Sequence, residues 1–231
     1  MTVLDLLFPK SCLGCGKKAC YFCAECRLKI GKIYQICPVC GKPSPFGRTH
    51  RFCLTKFSLE GLFSFFAYGG IIRSAIHKLK YKLVTDLEEE FWRLIKDEIE
   101  KKEPNIIFLR QFMEKEKPIV VPIPLHWYKQ RKRGFNQSSL FGKRTACLFD
   151  LSFSDKILVR EKNTVSQTKL TQKERQENVK GIFCLSPNIH NSLFNILLVD
   201  DVWTTGSTMK EAAGVLKKAG VKKVWGITIA R

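Results

Sequence analysis

Two adjacent carboxylates followed by a run of hydroxyl-bearing residues form the segment with the clearest chemical potential. Four apolar residues lead into Asp200 and Asp201, and a loop begins two residues later. The loop consists of Thr204, Thr205, Gly206, Ser207 and Thr208. Backbone N–H groups at a helix start bind phosphate, and hydroxyl groups complete its hydrogen bonds. The segment therefore predicts a sugar-phosphate site, in which the carboxylates accept bonds from ribose hydroxyls or bind Mg²⁺.

The alternative interpretation of this segment is an ordinary strand-to-helix turn with Ser207 or Thr208 as the N-cap. A cap needs only one hydroxyl or carboxylate side chain, whereas this loop follows two acids and carries four hydroxyl groups. The glycine-rich phosphate loops of P-loop and dinucleotide-binding proteins do not occur in the sequence. We therefore favour the sugar-phosphate site.

Alternating apolar strands and amphipathic helices predict the frame that carries this loop. Strands are expected at 62–68, 119–123, 156–159, 196–199 and 224–230, and helices at 71–81, 85–102, 136–149 and from the loop to residue 219. Residues 103–117 are expected to form an irregular or short helical connection. Continuous apolar strands are typical of parallel sheets buried on both faces, so we predict an α/β fold with a doubly wound, mostly parallel sheet. Ligands then bind at the carboxyl ends of the strands.

A cluster of cations follows the strand that ends near residue 123. It contains Arg131, Lys132 and Arg133, with Asn136 and Gln137 directly after them. The forked donors of arginine suit phosphate oxygens, so this edge predicts a surface for pyrophosphate or DNA, with a solvated basic turn as the alternative. The polar stretch 164–183 is expected to be a mobile loop that closes over a ligand, or a linker.

The charge of the chain is strongly positive and unevenly distributed. The net charge is +19, with ten Lys or Arg against three Asp or Glu in residues 1–60 and thirteen against five in residues 119–180. Such basic regions attract the phosphates of nucleic acids and nucleotides, or merely keep a surface soluble. No apolar stretch is long enough to span a bilayer, and the N-terminal apolar run is too short for a signal peptide. We expect a cytoplasmic protein without membrane insertion.

Eight of the ten cysteines lie within residues 12–53, mostly as Cys-x-x-Cys pairs. Two such pairs make one tetrahedral zinc site, and disulfides are rare in the cytoplasm. The first predicted site consists of Cys12, Cys15, Cys23 and Cys26. The second consists of Cys37, Cys40, His50 and Cys53. A site that joins the first and third Cys-x-x-Cys pairs remains an alternative.

The zinc is expected to be structural, with one or two ions per chain, because so small a module cannot fold on an apolar core alone. Cys20 is left without a place in either site. Cys147 and Cys184 lie in apolar surroundings far along the chain, and we expect both to be core residues.

The acidic loop resembles the signature of type I phosphoribosyltransferases that binds 5-phosphoribosyl-1-diphosphate (PRPP). The match covers four apolar residues, two acids, two variable residues and Thr-Thr-Gly-Ser-Thr, with the bulky Trp203 in a variable position. The resemblance implies that Asp200 and Asp201 face the ribose hydroxyls. It also implies that residues 204–208 surround the 5′-phosphate, and that PRPP binds together with Mg²⁺.

The order of motifs along the chain is similar to that of the ComF family of competence proteins. In order, these motifs are the Cys-rich head, Val-Pro-Ile-Pro, Arg-Gly-Phe-Asn-Gln, a series of Gln167, Leu170, Arg175, Asn178 and Phe183, and the acidic loop. Membership implies a Cys-rich zinc-binding module over residues 1–58 and a type I phosphoribosyltransferase-like domain over 59–231. It further implies cytoplasmic handling of single-stranded DNA in natural transformation, beside a helicase partner. His50 departs from the family, which commonly has a fourth Cys-x-x-Cys pair there.

Three functions are compatible with these patterns. The first is a DNA-uptake protein with a PRPP-type pocket and a basic surface for single-stranded DNA. The second is an active phosphoribosyltransferase that transfers phosphoribosyl from PRPP to an unknown nitrogen acceptor, and the third is a scaffold that PRPP switches. The candidate aromatic platforms for bases are Phe22, Tyr34, Phe46, Phe52, Trp127 and Phe135, of which several must be core.

Overall fold

A computed structural model describes residues 10–81, 85–162, 174, 177–187 and 194–231. Most of the loop expected over 164–183 lies outside the described residues, as do Gln167, Leu170 and Arg175. No helix in the described part of the chain is long and apolar enough to cross a membrane.

A four-stranded parallel sheet forms the centre of the fold. Its strands are β1 (Gly61–Phe66), β2 (Ile119–Pro122), β5 (Asn195–Val202) and β6 (Lys223–Ala230). Their order across the sheet is β1-β6-β5-β2, and every neighbouring pair is parallel. A separate antiparallel pair is formed by β3 (Leu158–Arg160) and β4 (Phe183–Leu185). The carboxyl ends of β5 and its two neighbours therefore meet at one edge.

Seven α-helices accompany the strands in the described residues. They are α1 (Ala24–Leu28), α2 (Gly70–Tyr81), α3 (Thr85–Ile99), α4 (Pro104–Glu116), α5 (Trp127–Arg133), α6 (Gln137–Phe149) and α7 (Ser207–Lys218). Two 3₁₀ turns occupy Pro45–Gly47 and Arg51–Cys53. The sequence did not predict α5 or β4, because each is too short to show a clear period.

Residues 103–117 were expected to form an irregular or short helical connection, and the structure shows the helical alternative, over more turns than expected. The segment forms α4, a 13-residue helix that begins with Pro104 in its first turn. Proline is well suited to that position, because its φ is already helical and its missing N–H has no partner to lose. Ile106, Leu109 and Met113 recur at helical spacing and are buried, so packing stabilises the helix.

Apolar side chains cover both faces of the sheet. On one face Phe63, Leu197 and Ile227 belong to a core that also contains buried residues of α2, α3, α4 and α6. On the other face Leu198 and Val224 pack in a second core with residues of α7 and the β3–β4 pair. Helices on both faces and a mostly parallel sheet confirm the predicted α/β class.

The Cys-rich head is packed onto this sheet rather than tethered beside it. The side-chain amide of Gln35 donates to the carbonyl of Ser64 at 2.9 Å and accepts from the N–H of Ser64 at 3.0 Å. Ser64 lies in β1, an edge strand, and both residues are buried. Phe46 stacks on Phe108 of α4 at 4.7 Å between ring centroids. The head and the α/β part thus share a continuous interior, and the boundary at residue 58 stays a prediction.

Candidate functional site

The two acidic residues lie near the end of β5, where that strand reaches the carboxyl edge of the sheet. The Ser138 hydroxyl, at the start of α6, donates to Asp200 Oδ1 at 2.9 Å, and the backbone N–H of Asp201 donates to the same oxygen at 2.9 Å. Lys80 of α2 forms an ion pair with Asp201, with 2.7 Å between Nζ and Oδ2. Side chains that follow β1 and β2 therefore hold the acid pair.

The loop after the acids is shaped by close packing of Trp203 against Gly206. Gly206 precedes α7 with a φ of +72°, and a Cβ there would lie 2.1 Å from the Trp203 ring. Any other residue would be strained by its backbone and would clash with the buried indole. Thr205 and Ser207 bond to each other through their hydroxyl groups at 2.8 Å. The N-cap position is thus Gly206, which has no side chain to cap α7.

An open pocket of about 420 Å³ connects the acid pair with the loop. It is lined by Tyr68, Arg73, Lys80 and residues 200–209. This volume suits a small phosphorylated ligand. The loop hydroxyls and the start of α7 offer donors on one side, and the carboxylates offer acceptors on the other. The structure therefore brings Asp200, Asp201 and the predicted loop residues 204–208 to one pocket.

Three residues at the pocket were missed by sequence reasoning, namely Arg73, Lys80 and Ser138. Arg73 and Lys80 are seven positions apart on α2, so two helical turns place them on one face. The spacing of these cations, on the first helix after an edge strand, could have indicated from the sequence that both belong to the site. Ser138 carried none, because its role depends on how α6 packs against β5.

The electrostatic environment of the pocket sets the acids apart from ordinary surface carboxylates. Burial and the charge of Asp201 raise the pKa of Asp200 to about 7, although the Ser138 hydroxyl and Lys80 act in the opposite direction. Burial lowers the pKa of Lys80, but the charges of Asp201 and Asp200 outweigh it and raise this pKa. Asp200 is thus protonated in part of the molecules at neutral pH.

A group of cations extends from the acid pair toward α5. Burial lowers the pKa of Arg160 on β3, whereas the charge of Asp200 works in the opposite direction. Burial and repulsion from Arg160 and Arg133 lower the pKa of Lys129. Lys129 is thus within range of the charges of two other cations, and such a concentration of positive charge attracts anions.

The Arg-Gly-Phe-Asn-Gln block turns its amides inward. Asn136 is buried; its side chain accepts from the N–H of Ser138 at 3.1 Å and donates to the carbonyl of Ile123 at 3.0 Å. Gln137 donates to the carbonyl of Leu79 at 3.2 Å. These amides join the ends of β2, α2 and α6, and so differ from the anion ligands expected from the sequence. Arg131 and Lys132 are exposed on α5.

Two groups of potential metal ligands form in the head, with the membership that their spacing predicts. Within each group, the ligand atoms lie within 4.8 Å of one another. The groups are Cys12, Cys15, Cys23 and Cys26, and Cys37, Cys40, His50 and Cys53. Zn–S bonds of about 2.3 Å require roughly 3.8 Å between sulfur atoms in a tetrahedron, and Cys15 and Cys23 are 3.6 Å apart. Both groups fit zinc, and the alternative pairing does not occur.

His50 has the orientation of a metal ligand. Its Nδ1 lies 3.3 Å from the sulfur of Cys40, and its Nε2 donates to the carbonyl of Pro43 at 3.2 Å. A histidine that binds zinc commonly donates its other ring N–H to a carbonyl in this way. Cys20 lies outside both groups. The prediction that Cys147 is a core residue is wrong, because it lies on the solvent face of α6.

Comparison with known proteins agrees with this architecture. Residues 3–54 match a double zinc ribbon domain. The chain is 27% identical over 230 residues to competence protein F of Haemophilus influenzae, an alignment that covers 95% of this chain and 90% of that protein. The chain is a homologue of the ComF competence proteins. This confirms the resemblance seen in the motifs.

Two further relatives extend the ComF comparison. Competence protein ComFC of Bacillus subtilis is 28% identical over 226 residues, which cover 93% of this chain and 85% of that protein. DNA utilization protein YhgH of Salmonella typhimurium is 28% identical over 209 residues, covering 87% and 86% of the two chains. The alignments thus include both the double zinc ribbon and the α/β part of this ComF homologue, and the ribbon supports structural Zn²⁺.

The second metal group is near enough to the start of α7 for its charges to act on a residue of that helix. Lys210, in the first turn of α7, is within electrostatic range of Cys37 and Cys40. Its Nζ is also 5.6 Å from the centre of the Trp203 ring. One lysine is therefore close to the indole that shapes the loop and within the electrostatic influence of two thiols of the second metal group.

We expect two zinc ions per chain in this ComF homologue. His50→Ala removes one of four ligands from the second group, and so should lower the content to about one ion. Native mass spectrometry or elemental analysis measures this stoichiometry. The control is Cys147→Ser, which removes an exposed thiol outside both groups and should retain two ions. Two tightly held ions in His50→Ala would exclude His50 from the ligands.

We expect Asp200 to make stability depend on pH. Its folded-state pKa of about 7 exceeds its ordinary value of 3.8, so it stabilises the fold fully below pH 4 and loses this contribution as the pH rises to 7. Between pH 5 and 7 the free energy of unfolding of the wild type should therefore fall relative to Asp200→Asn, by up to about 1.4 kcal/mol per pH unit. Urea denaturation measures the difference.

The control for this experiment is Asp155→Asn, which changes an exposed carboxylate. The difference in free energy of unfolding between Asp155→Asn and the wild type should stay constant between pH 5 and 7. An equally constant difference for Asp200→Asn would show that the carboxyl of Asp200 titrates as in the unfolded chain.

Proposed function

We propose that this protein acts in DNA uptake or DNA utilization, and that its pocket binds a phosphoribosyl ligand such as PRPP with Mg²⁺. The relatives named for competence and DNA utilization support the biological role. The observation that carries the ligand is the joint lining of one pocket by the acid pair and the hydroxyl-rich loop. The proposal places the protein in the cytoplasm, beside a helicase partner.

The ligand fits the pocket through complementary hydrogen bonds. The loop residues Thr204–Thr208 and the start of α7 would bind the 5′-phosphate, because N–H groups and hydroxyls donate to phosphate oxygens. Asp200 and Asp201 would accept from the ribose hydroxyls. Arg73 and Lys80 line the same pocket, and their charges suit the diphosphate. Bound Mg²⁺ would offset the charge that the diphosphate and the carboxylates share.

The DNA-binding role rests on the exposed cations of α5 and their aromatic neighbours. Arg131 and Lys132 are exposed, and Trp127 and Tyr128 are 63% and 54% exposed on the same helix. Cations attract the phosphates of any sequence, and exposed aromatic rings stack on unpaired bases. This combination supports single-stranded DNA as the partner.

Phosphoribosyl transfer is the second candidate function, and the raised pKa of Asp200 favours it. A carboxylate with a pKa near 7 is suited to accept a proton at neutral pH. In this reaction, a nitrogen of the acceptor bonds to the anomeric carbon, pyrophosphate leaves with its bonding electrons, and the acceptor proton passes to Asp200. The pocket itself would contribute by positioning and by charge stabilisation.

Calorimetry with PRPP tests the pocket. We expect PRPP to bind in the presence of Mg²⁺, and Asp201→Asn to weaken binding by about 10- to 100-fold, since it removes a charged hydrogen-bond acceptor. Asp155→Asn is the matched control and should bind as the wild type does. Equal affinity of the wild type and Asp201→Asn for PRPP would contradict the proposal that Asp201 binds the ribose hydroxyls.

Pyrophosphate release separates the two candidate functions. With PRPP and a panel of nitrogenous bases, release by the wild type that is lost in Asp200→Asn would establish transfer. Binding of PRPP without release from any base supports a ligand site in a DNA-handling protein.

Fluorescence anisotropy with a labelled oligo-dT tests the DNA-binding role. Affinity should fall steeply with salt, and Arg131→Gln/Lys132→Gln should lower both the affinity and the salt slope, by roughly 0.7 for each phosphate that the protein no longer neutralises. The control Arg110→Gln/Lys115→Gln removes the same charge from exposed positions on α4. Binding that both double variants weaken equally would contradict a specific role for α5.

A further inference from the structure

The second half of the double zinc ribbon is an unbroken stretch without acidic residues. No Asp or Glu lies between Glu25 and Glu60, whereas seven Lys or Arg do. Near its end, basic and aromatic residues alternate as Arg51, Phe52, Lys56 and Phe57. This arrangement combines attraction for phosphates with rings that can stack on bases.

Phe52 is the most exposed large apolar side chain among the described residues. It is fully exposed, and it lies between His50 and Cys53, two residues of the second metal group. The N–H of Cys53 donates to the carbonyl of His50 at 2.8 Å, which closes the 3₁₀ turn. The backbone that carries the ring is therefore fixed at both ends, so a contact with the ring costs little ordering of the chain.

Phe57 lies a few residues further on, with a cation on either side. It is 44% exposed, and Lys56 Nζ and Lys218 Nζ lie 5.8 Å and 6.0 Å from its ring centre. Lys218 is at the carboxyl end of α7. The ribbon and the α/β part thus build this surface together.

An open groove of about 560 Å³ is lined in part by residues 54–56, which directly precede Phe57 in the sequence. Lys56 and Lys222 line it, together with Lys217. The one carboxylate among its lining residues belongs to Glu60, and it pairs with Lys217. The groove therefore keeps a net positive charge, which suits a polyanion.

We propose that Arg51, Phe52, Lys56, Phe57 and Lys218 form a binding surface for single-stranded DNA, here named the ribbon surface. The two rings stack on bases, and the three cations contact the adjacent phosphates. The strand must be single, because only unpaired bases expose their faces for stacking. This inference rests on the proposed DNA function and gives it a second location.

The end of the ribbon surface that contains Lys218 lies away from the phosphoribosyl pocket. Lys218 ends α7 and Lys222 precedes β6, so both lie at the amino edge of the sheet. The acid pair lies at the carboxyl ends of the strands. DNA bound at Phe57 and Lys218 therefore leaves the pocket open to its own ligand. Phe52 lies between two residues of the metal group whose thiolates act on Lys210, so it is the part of the surface nearer the start of α7.

Anisotropy with a labelled 20-nucleotide oligo-dT tests the ribbon surface. Phe52→Ala should weaken binding by roughly 5- to 150-fold, the range for loss of one stacked base. Arg51→Gln/Lys56→Gln should weaken binding and also lower its salt slope. The control is Leu28→Ala, since Leu28 is 87% exposed on α1, and it should bind as the wild type does. Each variant is first checked for two bound zinc ions.

An oligonucleotide with abasic positions gives a readout specific to stacking. Abasic positions retain the phosphates but remove the bases, so they should weaken wild-type binding while adding little to the loss in Phe52→Ala. If the abasic positions and Phe52→Ala lower the DNA affinity independently and additively, Phe52 does not stack on a base.

The remaining outcomes separate this proposal from the proposed function. If Phe52→Ala/Phe57→Ala binds DNA as the wild type does while Arg131→Gln/Lys132→Gln does not, the ribbon surface is wrong and the DNA function stands on α5. If the wild type binds no DNA, both fail. Binding of polyglutamate that depends on Phe52, without DNA binding, would assign the surface to an acidic protein partner.

Discussion

The site depends on one constraint: the charges of two adjacent carboxylates at the end of a buried strand must be compensated. Asp200 and Asp201 repel each other, and burial raises the cost of their charges. Lys80 neutralises one carboxylate and Ser138 donates to the other. These residues follow opposite edge strands of the sheet, so the order β1-β6-β5-β2 is what allows them to meet at β5. A pocket for a polar ligand is the consequence, since its floor already holds oriented donors and acceptors.

The wall of the pocket depends on a second set of contacts, centred on Trp203. The indole fills the space that a side chain at Gly206 would need. Lys210 lies over the same ring, and the charges of Cys37 and Cys40 in the second metal group act on it. The second metal group of the ribbon and the loop after the acids therefore both act on the same residue, Lys210.

Much of the α/β class and of the loop was predictable, because both depend on local patterns. Buried parallel strands show as continuous apolar runs, and the ligand groups follow from cysteine spacing. The spacing of Arg73 and Lys80 indicated a cationic face of α2, but it did not show that Lys80 pairs with Asp201. Ser138 was not predictable, since only the packing of α6 brings it to Asp200. The neighbouring cations of Asn136 suggested an anion ligand, whereas the structure shows what the sequence did not indicate, namely that its amide caps α6 and bonds to the end of β2.

The paired hydrogen bonds between Gln35 and Ser64 have a consequence for how the two parts of the molecule are related. An uncovered edge strand is a template for pairing with another chain, and the glutamine amide occupies both backbone groups of Ser64 in β1. By covering this edge strand, the ribbon therefore opposes aggregation of the α/β part. Neither part of the molecule is therefore independent of the other. Without its ribbon, the α/β part would have an open edge strand, and it would need another cover in order to remain a monomer.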